Sequence, residues 1–214
     1  MTVTISRLYD SYSDAQQVVR DLESAGLRSD DISIVASNAD NWYDAKTTSG
    51  RKMTDRKDRD HDGTDDRVEG AEAGAGIGAV VGGLGGLLAG LGLLAIPGVG
   101  PVVAAGWLAA TAAGAVAGGA AGGIVGALTQ AGISKDDAPV YAEGLRRGGT
   151  LITARVPDGD RSRFEAILNR AAVDIRQRGE MYRKSGWTGF DEKAKPYSAD
   201  EIRRERSTYL SPGA

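Results

Sequence analysis

The organisation of this chain turns on residues 74–123, which read GAGIGAVVGGLGGLLAGLGLLAIPGVGPVVAAGWLAATAAGAVAGGAAGG. They lie within a longer run, residues 73–134, that contains no charged side chain. Such a run is far longer than the roughly 20 apolar residues that one membrane-spanning helix needs. The prolines and glycines of residues 95–101 end helices. The run therefore predicts that residues 73–132 form a hairpin of two helices, at about 74–94 and about 102–131.

Small residues recur at every fourth position along both predicted helices. This spacing places them on one helix face, where they allow a second helix to approach closely. Each glycine otherwise costs a helix in water about 1 kcal/mol relative to alanine, so the pattern favours a packed environment. The predicted packing face, a glycine zipper, consists of Gly74, Gly78, Gly82, Gly86 and Gly90 in the first helix and Gly106, Gly114, Gly118, Gly122 and Gly126 in the second.

Two environments suit such a hairpin, and both predict that the protein is a homo-oligomer. In the first, the hairpin spans a membrane: the leucine-rich first helix is long enough to cross a hydrocarbon core, and Trp107 lies near the turn, where interfacial aromatics occur. An even number of crossings then leaves both globular parts in the cytoplasm, with the hairpin in the inner membrane. In the second, the hairpins are buried in the shared core of a soluble cytoplasmic assembly. Membrane lipid is a predicted partner only in the first.

Residues 1–37, before the uncharged run, read as β-α-β. Residues 2–8 and 31–36 are predicted strands, because apolar side chains alternate along them. In the second strand Ile32 and Ile34 face one way and Val35 the other. Ser13 and Gln16 have the spacing of a capping box, which predicts that a helix begins there.

Residues 133–177, after the predicted hairpin, read as α-β-α-β. Ser134 is a predicted helix cap, residues 150–156 alternate like a strand, a helical stripe begins at Phe164, and Val173 is predicted to open a short last strand. Neither half has enough apolar side chains for its own core. The predicted fold class is α+β: one split, ferredoxin-like sheet with helices on one face, interrupted by the helical hairpin.

Residues 38–72 form a charged linker that carries an EF-hand-like sequence. In residues 58–69, DRDHDGTDDRVE, acidic side chains, one threonine and one glycine fall at the positions that calcium loops use. The candidate calcium ligands are Asp58, Asp60, Asp62, Thr64, Asp66 and Glu69. A solvated, charge-mixed linker matches the same pattern by composition, because no helix is predicted before Asp58.

Calcium binding by this loop is expected to be weak, in the high-micromolar range or poorer, as in loops without rigid support. Arg59 and Arg67 lower the negative potential, and Asp65 replaces the apolar residue through which paired loops couple. Calorimetry of the wild type and of an Asp58→Ala, Glu69→Ala double variant tests this. A low-micromolar site that disappears in the double variant would make a calcium-responsive binding module the better interpretation.

Composition excludes several other functions. The chain of 214 residues has no cysteine and one histidine, so thiol chemistry and the usual zinc sites are excluded. The net charge is -3 and no long basic block occurs, which argues against a nucleic-acid partner. No spacing singles out a catalytic triad or a phosphate loop, so the chain is predicted not to be an enzyme, and no small-molecule substrate or cofactor is identified.

The order of these segments resembles a bacterial family, the general stress proteins, which includes heat-induced and low-temperature-induced members. The resemblance rests on the N-terminal β-α-β, the acidic linker, the glycine-zipper run and VYAEGLRRGGTLITARV at 140–156, and it covers roughly residues 1–175. The charged tail, residues 178–214, is predicted to be partly disordered and contains GWTGFDEKAKPYSADEIRRER at 186–206, which resembles tails of the same group. Ser198 is predicted to cap one short helix over 198–206. The resemblance implies a non-enzymatic, stress-induced protein without established functional residues.

Overall fold

The computed structural model describes residues 1–43, 87, 91–117 and 123–210. The strands are β1 Thr2–Tyr9, β2 Ile32–Ser37, β3 Gly92–Ile96, β4 Gly100–Ala105 and β5 Thr150–Pro157. The helices are α1 Tyr12–Ser24, α2 Trp107–Ala117, α3 Gly123–Gln130, α4 Ala138–Arg146, α5 Arg161–Leu168, α6 Ile175–Lys184 and α7 Ala199–Leu210. Two single 3₁₀ turns, Ser29–Asp31 and Asp158–Asp160, precede β2 and α5.

The strands form one sheet in the order β1-β5-β2-β4-β3, and every neighbouring pair is antiparallel. Strands β1 and β2 therefore run in the same direction, with β5 between them, and α1 joins them over one face. Because β5 comes from the second half of the chain, the two predicted halves share one sheet. The predicted α+β class is confirmed.

Helices cover both faces of the sheet, because the central strands carry apolar side chains on both sides. Ile32, Ile34 and Ile152 point to the face covered by α1 and α5, which we call the α1 face. Val35 and Leu151 point to the opposite face, where α2, α3 and α4 pack, which we call the α4 face. The alternation predicted for β2 is confirmed, and the prediction of helices on one face is wrong.

Residues 92–105 form a β-hairpin, so the prediction of two long helices is wrong for this stretch. Strands β3 and β4 pair from Gly92 opposite Ala104 to Ile96 opposite Gly100. Strand β4 also pairs with β2, whose edge would otherwise lack a partner. In β4, a ladder partner on each side and the burial of most of its residues outweigh the helical spacing of the small residues around it. No helix in the described residues is long and apolar enough to cross a membrane.

Two smaller predictions on helix boundaries are also corrected. Helix α1 begins at Tyr12, just after Ser11, rather than at the predicted cap Ser13. The predicted last strand at Val173 is replaced by helix α6. Its start is explained by the carboxylate of Asp174, which accepts hydrogen bonds from the backbone N–H groups of residues 176 and 177.

The predicted helix in the tail is confirmed as α7. Ser198 and Glu201 form a reciprocal capping box: the Glu201 carboxylate accepts from the Ser198 N–H at 2.8 Å, and the Ser198 hydroxyl accepts from the Glu201 N–H at 3.4 Å. The exposed Glu201 carboxylate accepts from both the Ser198 N–H and the Ser198 hydroxyl, each at 2.8 Å, and these two hydrogen bonds lower the pKa of this carboxyl. Ile202, one turn further on, is 3% exposed, so the tail helix lies against the domain.

Candidate functional site

Strand β3 forms one edge of the sheet and carries no charge. Its sequence is GLLAI; Gly92, Leu93 and Ala95 are exposed, Leu94 is half-buried and Ile96 is buried. Leu93 is 48% exposed. Edge strands usually carry lysine, other charges or proline, which prevent pairing with another chain. Residues 92–96 carry none of these, so this edge lacks the usual protection.

The register of β4 determines which backbone groups of β3 face outward. Ala95 lies opposite Pro101, which has no N–H, and the Pro101 carbonyl accepts from the Asn38 N–H at 2.8 Å on the side of β2. The Ala95–Pro101 pair is therefore not hydrogen-bonded. In an antiparallel ladder such pairs alternate with hydrogen-bonded ones. The N–H and C=O groups of Ala95 and Leu93 consequently point away from the sheet.

We define the open edge as the outward N–H and C=O groups of Leu93 and Ala95. It is limited by Leu91 on one side and by Pro97 on the other. Before it, the Leu91 carbonyl accepts a hydrogen bond from the Tyr43 hydroxyl at 2.8 Å. After it comes Pro97, which has no N–H to donate. No hydrogen bond joins the open edge to another described residue. The open edge is therefore two residues long.

An exposed apolar surface lies beside the open edge, on the α1 face. Leu93 lies opposite Val103, which lies opposite Ala36, so Leu93 and, two residues away, Ala95 lie on this face. Trp42 lies on the same face, because its ring centroid is 4.3 Å from that of Tyr12, with the rings tilted by 38°, and Tyr12 packs against the α1-face core. We call the exposed residues Trp42, Leu93, Ala95 and Pro101 the apolar corner.

Hydrogen bonds between side chains and backbone groups hold Trp42 and Tyr43 in place. The Trp42 indole N–H donates to the Ser37 carbonyl at 2.8 Å, and the Asn38 side chain bonds both backbone groups of Tyr43 at 3.0 Å. Trp42 nevertheless remains 40% exposed. Burial raises the pKa of the Tyr12 hydroxyl. The hydrogen bonds of Trp42 and Asn38 therefore fix this side of the apolar corner before any partner binds.

No family model, curated protein or solved structure matches the chain. The resemblance to general stress proteins therefore stays a prediction.

A second feature of the structure is a buried network of charged side chains that joins α4 to the tail. Glu143 is completely buried, and it accepts a hydrogen bond from Arg147 Nε at 2.6 Å. The same guanidinium donates to the Glu205 carboxylate at 3.1 and 3.2 Å and lies 4.3 Å from the ring centroid of Tyr182. The network therefore connects α4 with α6 and α7.

A second ion pair fastens α6 to the end of β1. Arg178 donates to both oxygens of Asp10, at 2.8 and 2.7 Å. Burial lowers the pKa of Arg178, but the hydrogen bonds and the charge of Asp10, with help from Tyr182, outweigh burial and raise it. Burial raises the pKa of Tyr182 to about 12. The raised pKa values keep the Arg178 guanidinium charged and the Tyr182 hydroxyl protonated at neutral pH, which is typical of a structural network rather than of an acid–base pair.

Sequence reasoning missed both ion-pair clusters. The Glu143–Arg147 pair has i, i+4 spacing at the end of a helix, which is a recognisable signal for an ion pair. Its complete burial has no such signal, because it depends on the tail that folds over α4. The Asp10–Arg178 pair joins residues far apart in sequence and could not be found by local spacing.

Most of the predicted site residues lie outside the described residues. These are the calcium loop, Asp58, Asp60, Asp62, Thr64, Asp66 and Glu69, and the glycines Gly74, Gly78, Gly82, Gly86, Gly90, Gly118 and Gly122. Calcium binding stays a prediction. In the parts of the chain that the structure describes, no group of three or more histidine or carboxylate side chains is arranged to hold a metal ion.

Three predicted packing glycines are described, and they lie in different environments. Gly106 has a left-handed backbone, with φ of 88°, and lies between β4 and α2 rather than within a helix. Gly114 lies in α2 but is exposed, and a Cβ there would meet nothing within 4 Å. Gly126 is half-buried in α3. These three glycines do not form one continuous face.

A shallow depression of about 550 Å³ lies on α3. Val125, Gly126, Thr129, Gln130 and Lys135 line it. Lys135 is the one ionisable side chain in this lining, so these residues do not form an acid–base pair. The depression is therefore a weaker candidate than the apolar corner and the open edge.

Proposed function

We propose that this protein is a non-enzymatic general stress-response protein that self-associates through the apolar corner and the open edge of β3. The observation that carries the proposal is the backbone of Leu93 and Ala95, whose N–H and C=O groups face outward from an uncharged strand. A strand from another chain can provide hydrogen-bond partners for all of these N–H and C=O groups.

Self-association is favoured over insertion into lipid by the same backbone groups. Inside hydrocarbon, each N–H or C=O without a partner costs several kcal/mol, and lipid provides no partner. A strand from a protein provides both donors and acceptors. The proposal keeps the predicted homo-oligomer and moves its contact from a helical zipper to a strand edge.

The chemistry of the buried charges supports a role other than catalysis. Arg178 bonds to Asp10 and joins α6 to the end of β1, whereas Arg147 bonds to Glu143 and Glu205 and joins α4 to α7. An ion pair that is buried and engaged in this way acts on stability and packing specificity.

Leu93→Lys is expected to weaken self-association of the full chain at least tenfold, because it places like charges beside one another at the contact. Sedimentation velocity over a range of protein concentrations measures the effect. The matched control is Met181→Lys, which changes an exposed apolar residue on α6, 36% exposed, and is expected to leave association unchanged.

Two outcomes would contradict the proposal. If the wild-type chain remains monomeric in sedimentation velocity at the highest concentration, the proposed self-association is wrong. Flotation of the wild type with vesicles of neutral phospholipid, without self-association in their absence, would instead favour the membrane as the partner of the apolar corner.

A further inference from the structure

We infer that two copies pair their β3 strands antiparallel about a two-fold axis at Leu94, so that Leu93 of each chain lies opposite Ala95 of the other. The inference rests on the proposed self-association and specifies its contact. It joins the two sheets into one continuous sheet across the open edges.

The hydrogen-bonding groups at the open edge select this register among the neighbouring ones. A two-fold axis at Leu93 would place Leu91 opposite Ala95, but the Leu91 carbonyl already accepts from the Tyr43 hydroxyl at 2.8 Å. An axis at Ala95 would place Pro97 opposite Leu93, and proline has no N–H to donate. An axis at Leu94 uses only outward groups that form no hydrogen bond with any described residue.

In the selected register every outward group has a partner. Leu93 and the partner's Ala95 form a hydrogen-bonded pair, which exchanges two N–H···O bonds. The two-fold axis repeats this pair once, so all outward donors and acceptors of both edges are used. Leu94 lies opposite its own copy in a pair that is not hydrogen-bonded, where side chains approach most closely.

The side chains favour a second copy of this chain over an unrelated strand. A self-paired strand brings each residue near its own kind, so any charge on β3 would repel itself. Residues 73–134 contain no charge, and β3 lies within them. On the α1 face the register places the large Leu93 beside the small Ala95, and on the α4 face it places Leu94 beside Leu94.

Single-cysteine variants test the register, because the chain contains no cysteine of its own. Leu94→Cys is expected to form disulfide-linked dimers under mild oxidation, since opposed residues in such a pair have Cβ atoms about 4.5–5.5 Å apart. Leu93→Cys and Ala95→Cys serve as matched controls. Each would have to reach its own copy across the diagonal, about 7–8 Å, which exceeds the span of a disulfide. At least tenfold more dimer is expected from Leu94→Cys.

A mixture provides a second readout that leaves Leu94 intact. Leu93→Cys and Ala95→Cys proteins are expected to crosslink to each other when mixed and not when oxidised separately. Equal crosslinking of all three single variants, or none in the mixture, would overturn the register. If these results accompany a wild type that still self-associates, the register alone is wrong; a monomeric wild type overturns the proposed self-association as well.

Discussion

Gly106→Ala is expected to lower the free energy of unfolding by roughly 2–4 kcal/mol, the combined scale of backbone strain and local overpacking. The backbone at Gly106 is left-handed, with φ of 88°. A Cβ there would collide with the Ile32 carbonyl oxygen and would lie 2.8 Å from the Ser33 Cα. Both are backbone atoms of a central strand, so neither can move aside as a flexible side chain would.

The neighbourhood of Gly106 explains why the close approach is needed. The Ser33 hydroxyl donates to the Ala105 carbonyl at 2.8 Å and accepts from the Leu108 N–H at 3.2 Å. These two bonds fasten the start of α2 to β2 on either side of Gly106. An alanine would push the two segments apart and weaken both bonds.

Gly114→Ala is the matched control, and it is expected to change stability in the opposite direction. Gly114 lies within α2, is exposed, and has open space where a Cβ would be. Alanine in place of glycine stabilises an exposed helix by about 1 kcal/mol. Urea unfolding followed by circular dichroism measures both variants. A close-packed glycine face predicts losses at both positions, so equal losses would contradict the structure described above.

Glu143→Ala is expected to destabilise the fold by about 3–5 kcal/mol, the usual cost of removing one partner of a buried ion pair. Glu143 is fully buried and Arg147 is 9% exposed. Without Glu143, the Arg147 guanidinium keeps its bonds to Glu205 and its position over Tyr182, but it loses its closest carboxylate. Because the network also fastens the tail, α7 is expected to become accessible to proteases first.

Two further variants make this prediction specific. Glu180→Ala removes an exposed carboxylate from α6 and is expected to change the free energy of unfolding by less than about 0.5 kcal/mol. Adding Arg147→Met to Glu143→Ala is expected to recover part of the loss, because the buried cation is removed along with its lost partner. A Glu143→Ala variant as stable as Glu180→Ala would show that the pair contributes nothing.

Local pattern was sufficient for the strands at the centre of the sheet. In β1, β2 and β5, large apolar residues alternate with a period of two, and each of these strands was predicted within about one residue of its observed bounds. The β-branched side chains of β2 point to both faces. Such a pattern fits few structures other than a strand covered on both sides.

Residues 92–105 were not predictable in the same way, because the local sequence fits both a helix and a strand. The glycines at every fourth position on either side of this stretch suit a helical packing face, while the adjacent Val102 and Val103 also suit a strand that is covered on both faces. The choice depends on the edge of β2, which offers backbone partners to β4 and comes from a segment far away in the chain. No local window contains that information.

The sequence by itself determined that residues 73–134 carry no charge, so that whichever surface they form lacks electrostatic protection against association. Only the tertiary structure decided which atoms that surface presents. Pairing of β4 with β2 turns the Pro101 carbonyl inward, so the backbone of Ala95 and Leu93 must face outward. The Tyr43 hydroxyl then limits the open edge at Leu91. Hydrogen-bond direction in a sheet is set by register, and register is a property of strands brought together from distant parts of the chain.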